Sequence, residues 1–156
     1  MIEYRKAGYS DIEFLTQMRI SMLCDGSNFS EEFKDLIQRN TTEFISSGFQ
    51  DNSFIAWIAV KDSRIIAMSG INFFTLPPND WCPEGKTAYI GNMYTLSDYR
   101  KRGIAAHLLS LVIEEAKSRN CERILLNATD MGRPLYELQG FETAPTAMAF
   151  YPFKAD

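Results

Sequence analysis

Tyr99-Arg100-Lys101-Arg102-Gly103-Ile104-Ala105 joins two segments of different periodicity and is the stretch that decides the fold. Before it, Thr87 to Thr95 is an apolar run that reads as a strand. After it, Ile104, Leu108, Leu111 and Val112 recur at helical spacing. A strand, a basic turn and a glycine opening a helix place several unpaired backbone N–H groups together, at the positive end of the helix dipole. Such a site favours an anion. Gly103 has no Cβ, so an anionic ligand can approach the backbone, and Arg100, Lys101 and Arg102 add positive charge. The competing reading of the same residues is a solvated basic turn at an ordinary helix start.

Arg100, Gly103 and Ala105 fall in the pattern Arg-x-x-Gly-x-Ala. This resembles the acetyl-CoA pyrophosphate motif of the GNAT acetyltransferase superfamily. Met93 to Tyr99 is similar to that family's fourth strand and following turn. Leu135-Tyr136-Glu137-Leu138-Gln139-Gly140-Phe141 is similar to its Leu-Tyr-x-x-x-Gly-Phe signature, and Tyr4-Arg5-Lys6-Ala7 with Asp11 to its opening strand and first helix. The resemblance spans nearly the whole chain, in order.

It implies a single α/β domain over residues 1–156, with a mixed, mostly antiparallel sheet whose fourth and fifth strands splay apart, flanked by about four helices. It further implies acetyl-CoA as cofactor, held by Met93, Tyr94 and Thr95, by the turn Arg100, Lys101, Arg102, Gly103, Ile104 and Ala105, and by Asn127. Tyr136 matches the tyrosine that in many members stands near the cofactor sulfur. A phenol is suited to protonate a leaving thiolate. Members with a carboxylate base often carry it where this chain has Tyr89, and Thr87 to Thr95 holds no acid. The amine's proton would therefore leave through a water placed by Tyr89 and Asn92, or to Asp25, Asp80 or Glu84. The family's usual cofactor-contacting Asn is matched only at a shorter spacing, by Asn127.

Composition agrees with one soluble domain. Of 156 residues, 46% are hydrophobic and 23% charged, enough to bury a core. A net charge of −4 speaks against nucleic acid as partner. No segment is long and apolar enough to span a membrane, and the opening residues carry no signal-peptide pattern. Cys24, Cys82 and Cys121 form no Cys-x-x-Cys pair and suit reduced thiols in the cytoplasm. One histidine, His107, rules out a His-rich metal site and reads as a packing or surface residue.

Outward from the turn, Ile2 to Arg5 reads as a strand, and Ser10-Asp11-Ile12-Glu13 as a capping box. It opens a helix to Cys24 whose stripe is Ile12, Leu15, Met18 or Arg19, and Met22. A second helix is expected over Glu31 to Ser46, and a hairpin of Ser53 to Val60 and Arg64 to Phe74 about Lys61-Asp62-Ser63. Thr75 to Lys86 is a Pro- and Gly-containing loop. The helix from Ile104 should end near Asn120, followed by a strand from Glu122 to Ala128 and a helix from Met131 to Leu138. A last strand is expected over Thr146 to Phe153. Its residues Ala149-Phe150-Tyr151 could pair or pack across a two-fold axis to give a homodimer.

The implied activity is N-acetyl transfer to the amine of a small molecule or peptide. The alternatives are an acyl-CoA-binding sensor without chemistry and an interaction module on the same fold. Phe29, Phe73, Trp81 and Glu84 are the expected acceptor contacts, an aromatic and acidic set suited to a cationic amine.

Overall fold

The computed structural model describes residues 1–153. Five strands form one sheet in the order β1-β2-β3-β4-β5: β1 Glu3–Lys6, β2 Phe54–Lys61, β3 Arg64–Thr75, β4 Lys86–Thr95 and β5 Arg123–Leu126. The first three pairings are antiparallel and β4–β5 is parallel. Helices α1 (Ile12–Cys24) and α2 (Glu31–Asp51) cover one face; α3 (Ile104–Ser118) covers the other, with α4 (Arg133–Leu138) beside it.

The two faces follow from the period-2 alternation of the strands. Phe54, Ala56, Ile58 and Met68 pack against Leu15, Met18 and Ile45 on the α1/α2 side. Ile71, Ala88 and Ile90 pack against Leu109, Val112 and Ala116 on the α3 side. On α3 the residues Ile104, Leu108, Val112 and Ala116, four apart, are all buried. That stripe pins the helix, and so fixes the position of its N-terminus.

Two local features shape β4. Between the pairs Gly70↔Gly91 and Met68↔Tyr94 the register shifts, so Asn92 and Met93 lie opposite Ser69 alone. Asn92 adopts φ 56° at this bulge, a conformation in which Asn is tolerated better than most side chains. Then β4 and β5 pair only from Thr87↔Arg123 to Ile90↔Leu126. From Gly91 to Thr95, β4 runs on with no strand on its β5 side, which is the expected splay.

Several sequence expectations are corrected. No strand forms over Thr146 to Phe153, which is irregular apart from turns at its two ends. Pro145 precedes the segment and Pro152 lies within it, and Phe150 and Phe153 point to solvent, 89% and 98% exposed. The homodimer expectation loses the strand on which it rested. The Ser10–Glu13 capping box does not form either. Asp11 turns inward to Arg5 and takes the Gly8 N–H at 2.8 Å, so Gly8 opens a short 3-10 turn ahead of α1. Helix α2 runs on to Asp51 and ends on Asn52 at φ 59°. Strand β5 and helix α4 are shorter than read.

Candidate active site

The turn after β4 leaves the first backbone N–H groups of α3 without a side-chain cap. Ser97–Tyr99 is a 3-10 turn, Lys101 lies at φ 58° and Gly103 at φ 77°. Gly103 caps α3 without any side-chain hydrogen bond, and a Cβ on it would meet nothing within 4 Å. The backbone N–H groups of Ile104, Ala105 and Ala106 are the first-turn donors that a helix cannot satisfy internally. The space before them is open, and the helix dipole points its positive end there. The Ile104 side chain is buried (2% exposed), so this residue offers its N–H while its side chain anchors the helix.

The three basic residues divide their work. Arg100 Nε donates to the Thr95 carbonyl and Nη2 to Asp25 Oδ2, each at 2.9 Å, with the guanidinium 5.5 Å from the centre of the Tyr94 ring. The Asp25 carboxylate raises the Arg100 pKa further. Arg100 is thus a strut between the end of β4 and the loop after α1. Arg102 donates to the Asp98 carbonyl at 2.8 Å and lies over Tyr99. Lys101, exposed and without an ion pair among the described residues, is the cation left for a ligand.

Where β4 and β5 part, polar groups converge. Asn127 Nδ2 donates to the Tyr89 hydroxyl at 3.1 Å. Tyr136, 8% exposed, packs edge-on to Phe141 with centroids 5.9 Å apart. Burial raises its phenol pKa, and the neighbouring Tyr89 raises it further. Asn92 Oδ1 accepts from Arg19 Nη1 at 2.9 Å. At the end of the strand, Thr95 Oγ1 is buried without a hydrogen-bond partner. Gly91 has room to spare: a Cβ there would touch only the Tyr89 ring, at 3.5 Å.

Tyr89, Asn92, Asn127 and Tyr136 therefore share one neighbourhood, flanked by Met93, Tyr94 and Thr95 and continued by the turn Arg100 to Ala105. Of the expected acceptor contacts, Phe73 packs in the same cluster as Tyr136 and Met93, while Phe29, Trp81 and Glu84 lie on other parts of the fold. Phe73 faces the α3 side, under the Arg119 guanidinium at 3.9 Å from its ring centre. Trp81, 85% exposed, and Glu84 belong to the β3–β4 loop, at the other end of β4 from the turn. Glu84 pairs with Lys86, and its N–H donates to Glu122. A ten-residue strand separates them from Arg100 by about 30 Å. Phe29 stacks on Phe33 at 4.8 Å, beside a small apolar gap between α1 and α2. Asp25 is committed to Arg100, so the hydrogen bonds of Tyr89 and Asn92 go to no carboxylate among the described residues. His107 packs on Tyr4, centroids 4.1 Å apart.

Arg19 was legible only as a charge on the apolar stripe Ile12-Leu15-Arg19-Met22 of α1, and its side chain turns toward β4. Among the described residues no three metal-ligating side chains gather into a candidate site.

Comparison with known proteins shows the family and the fold. Residues 17–141 match the model of the acetyltransferase (GNAT) family. A predicted acetyltransferase from Clostridium acetobutylicum, whose crystal structure contains acetyl-CoA, is 34% identical; the match covers 97% of this chain and 96% of that one, with a TM-score of 0.90. A GCN5-related N-acetyltransferase from Ralstonia eutropha JMP134 is 25% identical, covers 97% and 98%, and has a TM-score of 0.87. An aminoglycoside N-acetyltransferase in complex with CoA, 13% identical with a TM-score of 0.75 over 99% and 96%, shares the fold. With its matched family model spanning most of the sequence and its five-stranded sheet opening at β4, the chain belongs to the acetyltransferase (GNAT) family.

Proposed function

We propose that this acetyltransferase moves the acetyl group of acetyl-CoA directly to an amine acceptor held at the opening of β4. The observation that carries this reading is the continuity of two unsatisfied surfaces. The free edge of β4 from Gly91 to Thr95 leads into the uncapped N-terminus of α3. Buried backbone groups need partners, and this path asks for a ligand with an amide-bearing arm ending in phosphates. When bound there, acetyl-CoA supplies the thioester whose acetyl group is transferred.

Each residue then has a task. The N–H groups of Ile104 and Ala105, the open approach at Gly103 and the Lys101 ammonium hold the diphosphate. Arg100 and Arg102 hold the turn in shape. Backbone groups of Met93 and Thr95 pair with the arm, and an N–H at Met93 or Tyr94 polarises the thioester carbonyl. As the amine nitrogen bonds to the carbonyl carbon, the carbon–sulfur bond breaks and Tyr136 gives its proton to the sulfur. Its raised pKa keeps it protonated at neutral pH. Tyr89, steadied by Asn127, and the free Nδ2 of Asn92 position the water that takes the amine's proton.

No helix among the described residues is long and apolar enough to cross a membrane. The free thiols of Cys24, Cys82 and Cys121 support a reducing, cytoplasmic setting. The test is release of CoA thiol from acetyl-CoA over a panel of amines. Turnover that falls about a hundredfold or more in Tyr136→Phe fits a proton donor; unchanged turnover in that variant removes Tyr136 from the chemistry.

A further inference from the structure

Arg19 is a half-buried cation without an anion. It sits on the inner stripe of α1, and its one hydrogen-bond partner is a neutral amide, Asn92 Oδ1 at 2.9 Å. No carboxylate pairs with it among the described residues. A guanidinium carries five N–H donors, and removing it from water without a counter-charge is unfavourable. Burial lowers the Arg19 pKa, and the nearby Tyr89 phenol offsets part of that effect.

The surroundings do not supply the missing charge. Asp25, the acid nearest in the fold to the end of α1, is taken by Arg100, and Glu84 by Lys86. Asn92 reaches Arg19 from a bulge with φ 56°, an unusual backbone that aims its amide at α1. Tyr89, the group that feels Arg19, also bonds Asn127 and lies within electrostatic reach of Tyr136. The cation therefore stands beside Asn92 and Tyr89, two of the groups assigned to the reaction, at the inner face of α1.

We infer that Arg19 binds an anionic group of the acceptor, so that the acceptor is an amine carrying a carboxylate or phosphoryl group. This rests on the proposed acetyl transfer and names its substrate class. A guanidinium pairs with either oxyanion through two parallel hydrogen bonds. That anchor orients the amine toward the Tyr89–Asn127 pair. This acceptor class differs from the expectation of a cationic acceptor on an aromatic and acidic lining, of which Trp81 and Glu84 lie in the loop before β4.

The experiment uses the protein saturated with CoA, so that the diphosphate cradle is filled. Thermal melts are recorded with glycine, acetate or inorganic phosphate against chloride at equal ionic strength. Wild type should be stabilised by the carboxylates, by phosphate or by both, and which one acts identifies the oxyanion. Arg19→Gln should lose the effect while keeping its CoA-induced shift; Arg19→Lys, which retains the charge, should keep part of it. In parallel, kcat/KM is measured for amino acids against their amides and for phosphoethanolamine against ethanolamine. Acidic members that are turned over should lose about ten- to a hundredfold more in Arg19→Gln than their neutral counterparts do. Absence of anion stabilisation in wild type, or its persistence in Arg19→Gln, overturns the inference. Absence of any CoA shift in wild type overturns instead the cofactor reading on which it rests.

Discussion

The Asn127 side-chain amide donates to the Tyr89 hydroxyl at 3.1 Å, across the opening that begins where β4 and β5 stop pairing. This contact ties the segment after β5 to β4 beside the proposed reaction centre. Asn127→Ala frees the phenol, and we expect kcat to fall about tenfold, the equivalent of one lost neutral hydrogen bond of about 1.4 kcal/mol. Single-turnover kinetics would check it; an effect confined to acetyl-CoA binding would give Asn127 a cofactor role only.

Tyr136 sets the alkaline side of the pH profile. Its folded-state pKa lies above the ordinary 10.0, through burial first and Tyr89 second. The midpoint of any alkaline loss of kcat from Tyr136 ionisation should therefore lie above pH 10, and that limb should vanish in Tyr136→Phe. A limb well below 10 that Tyr136→Phe abolishes would contradict the raised value.

Asp11 makes stability depend on acid. Its pKa is lowered chiefly by the Arg5 hydrogen bonds at 2.8 and 2.9 Å, with the Gly8 N–H assisting against desolvation. A depressed carboxylate contributes stability that is present above its unfolded value near 3.8 and lost as pH falls through the lower folded value. With the Arg5 side chain 41% exposed, solvent screening limits this to about 1 kcal/mol. Asp11→Asn should cost that much at neutral pH and little below pH 3, as read from urea melts across pH.

Gly48 lets α2 lie against β2. A Cβ there would stand 2.4 Å from Phe54 Cβ, backbone-near and unable to swing away. Gly48→Ala gains about 1 kcal/mol of helix propensity but forces the helix off the sheet. A net loss of about 1–2 kcal/mol is expected from overpacking, with acetyl-CoA binding retained. Equal or higher stability in urea would show that α2 shifts freely.

What could be read from the sequence was what is local. The turn Arg100 to Ala105 and the helical positions Ile104, Leu108, Leu111 and Val112 announce themselves because glycine and helical period are properties of neighbouring residues; that Ala116 extends the buried stripe came from the structure. The bulge at Asn92 was not legible, since it arises from a register mismatch with Ser69 on another strand. Phe73 and Glu84 have suitable chemistry, yet which end of β4 they occupy is set by the β3–β4 pairing. The aromatic run of Thr146 to Phe153 has strand propensity, but no strand of the described residues pairs with it, Pro145 precedes it and Pro152 interrupts it. Arg19 was half legible: a charge on an apolar stripe is a signal, though its direction needs the fold.

The central claim is that acetyl-CoA lies along the free edge of β4 with its diphosphate at Gly103. The most direct measurement is a thermal melt with and without acetyl-CoA, on wild type and Gly103→Glu. At about a hundred times its dissociation constant the ligand adds about 2.7 kcal/mol, a shift of roughly 5–10 °C for a domain of this size. The account predicts that shift in wild type and its loss in Gly103→Glu, where a carboxylate meets the phosphates. A folded Gly103→Glu protein that keeps the full shift, or a wild type that shows none, would contradict it.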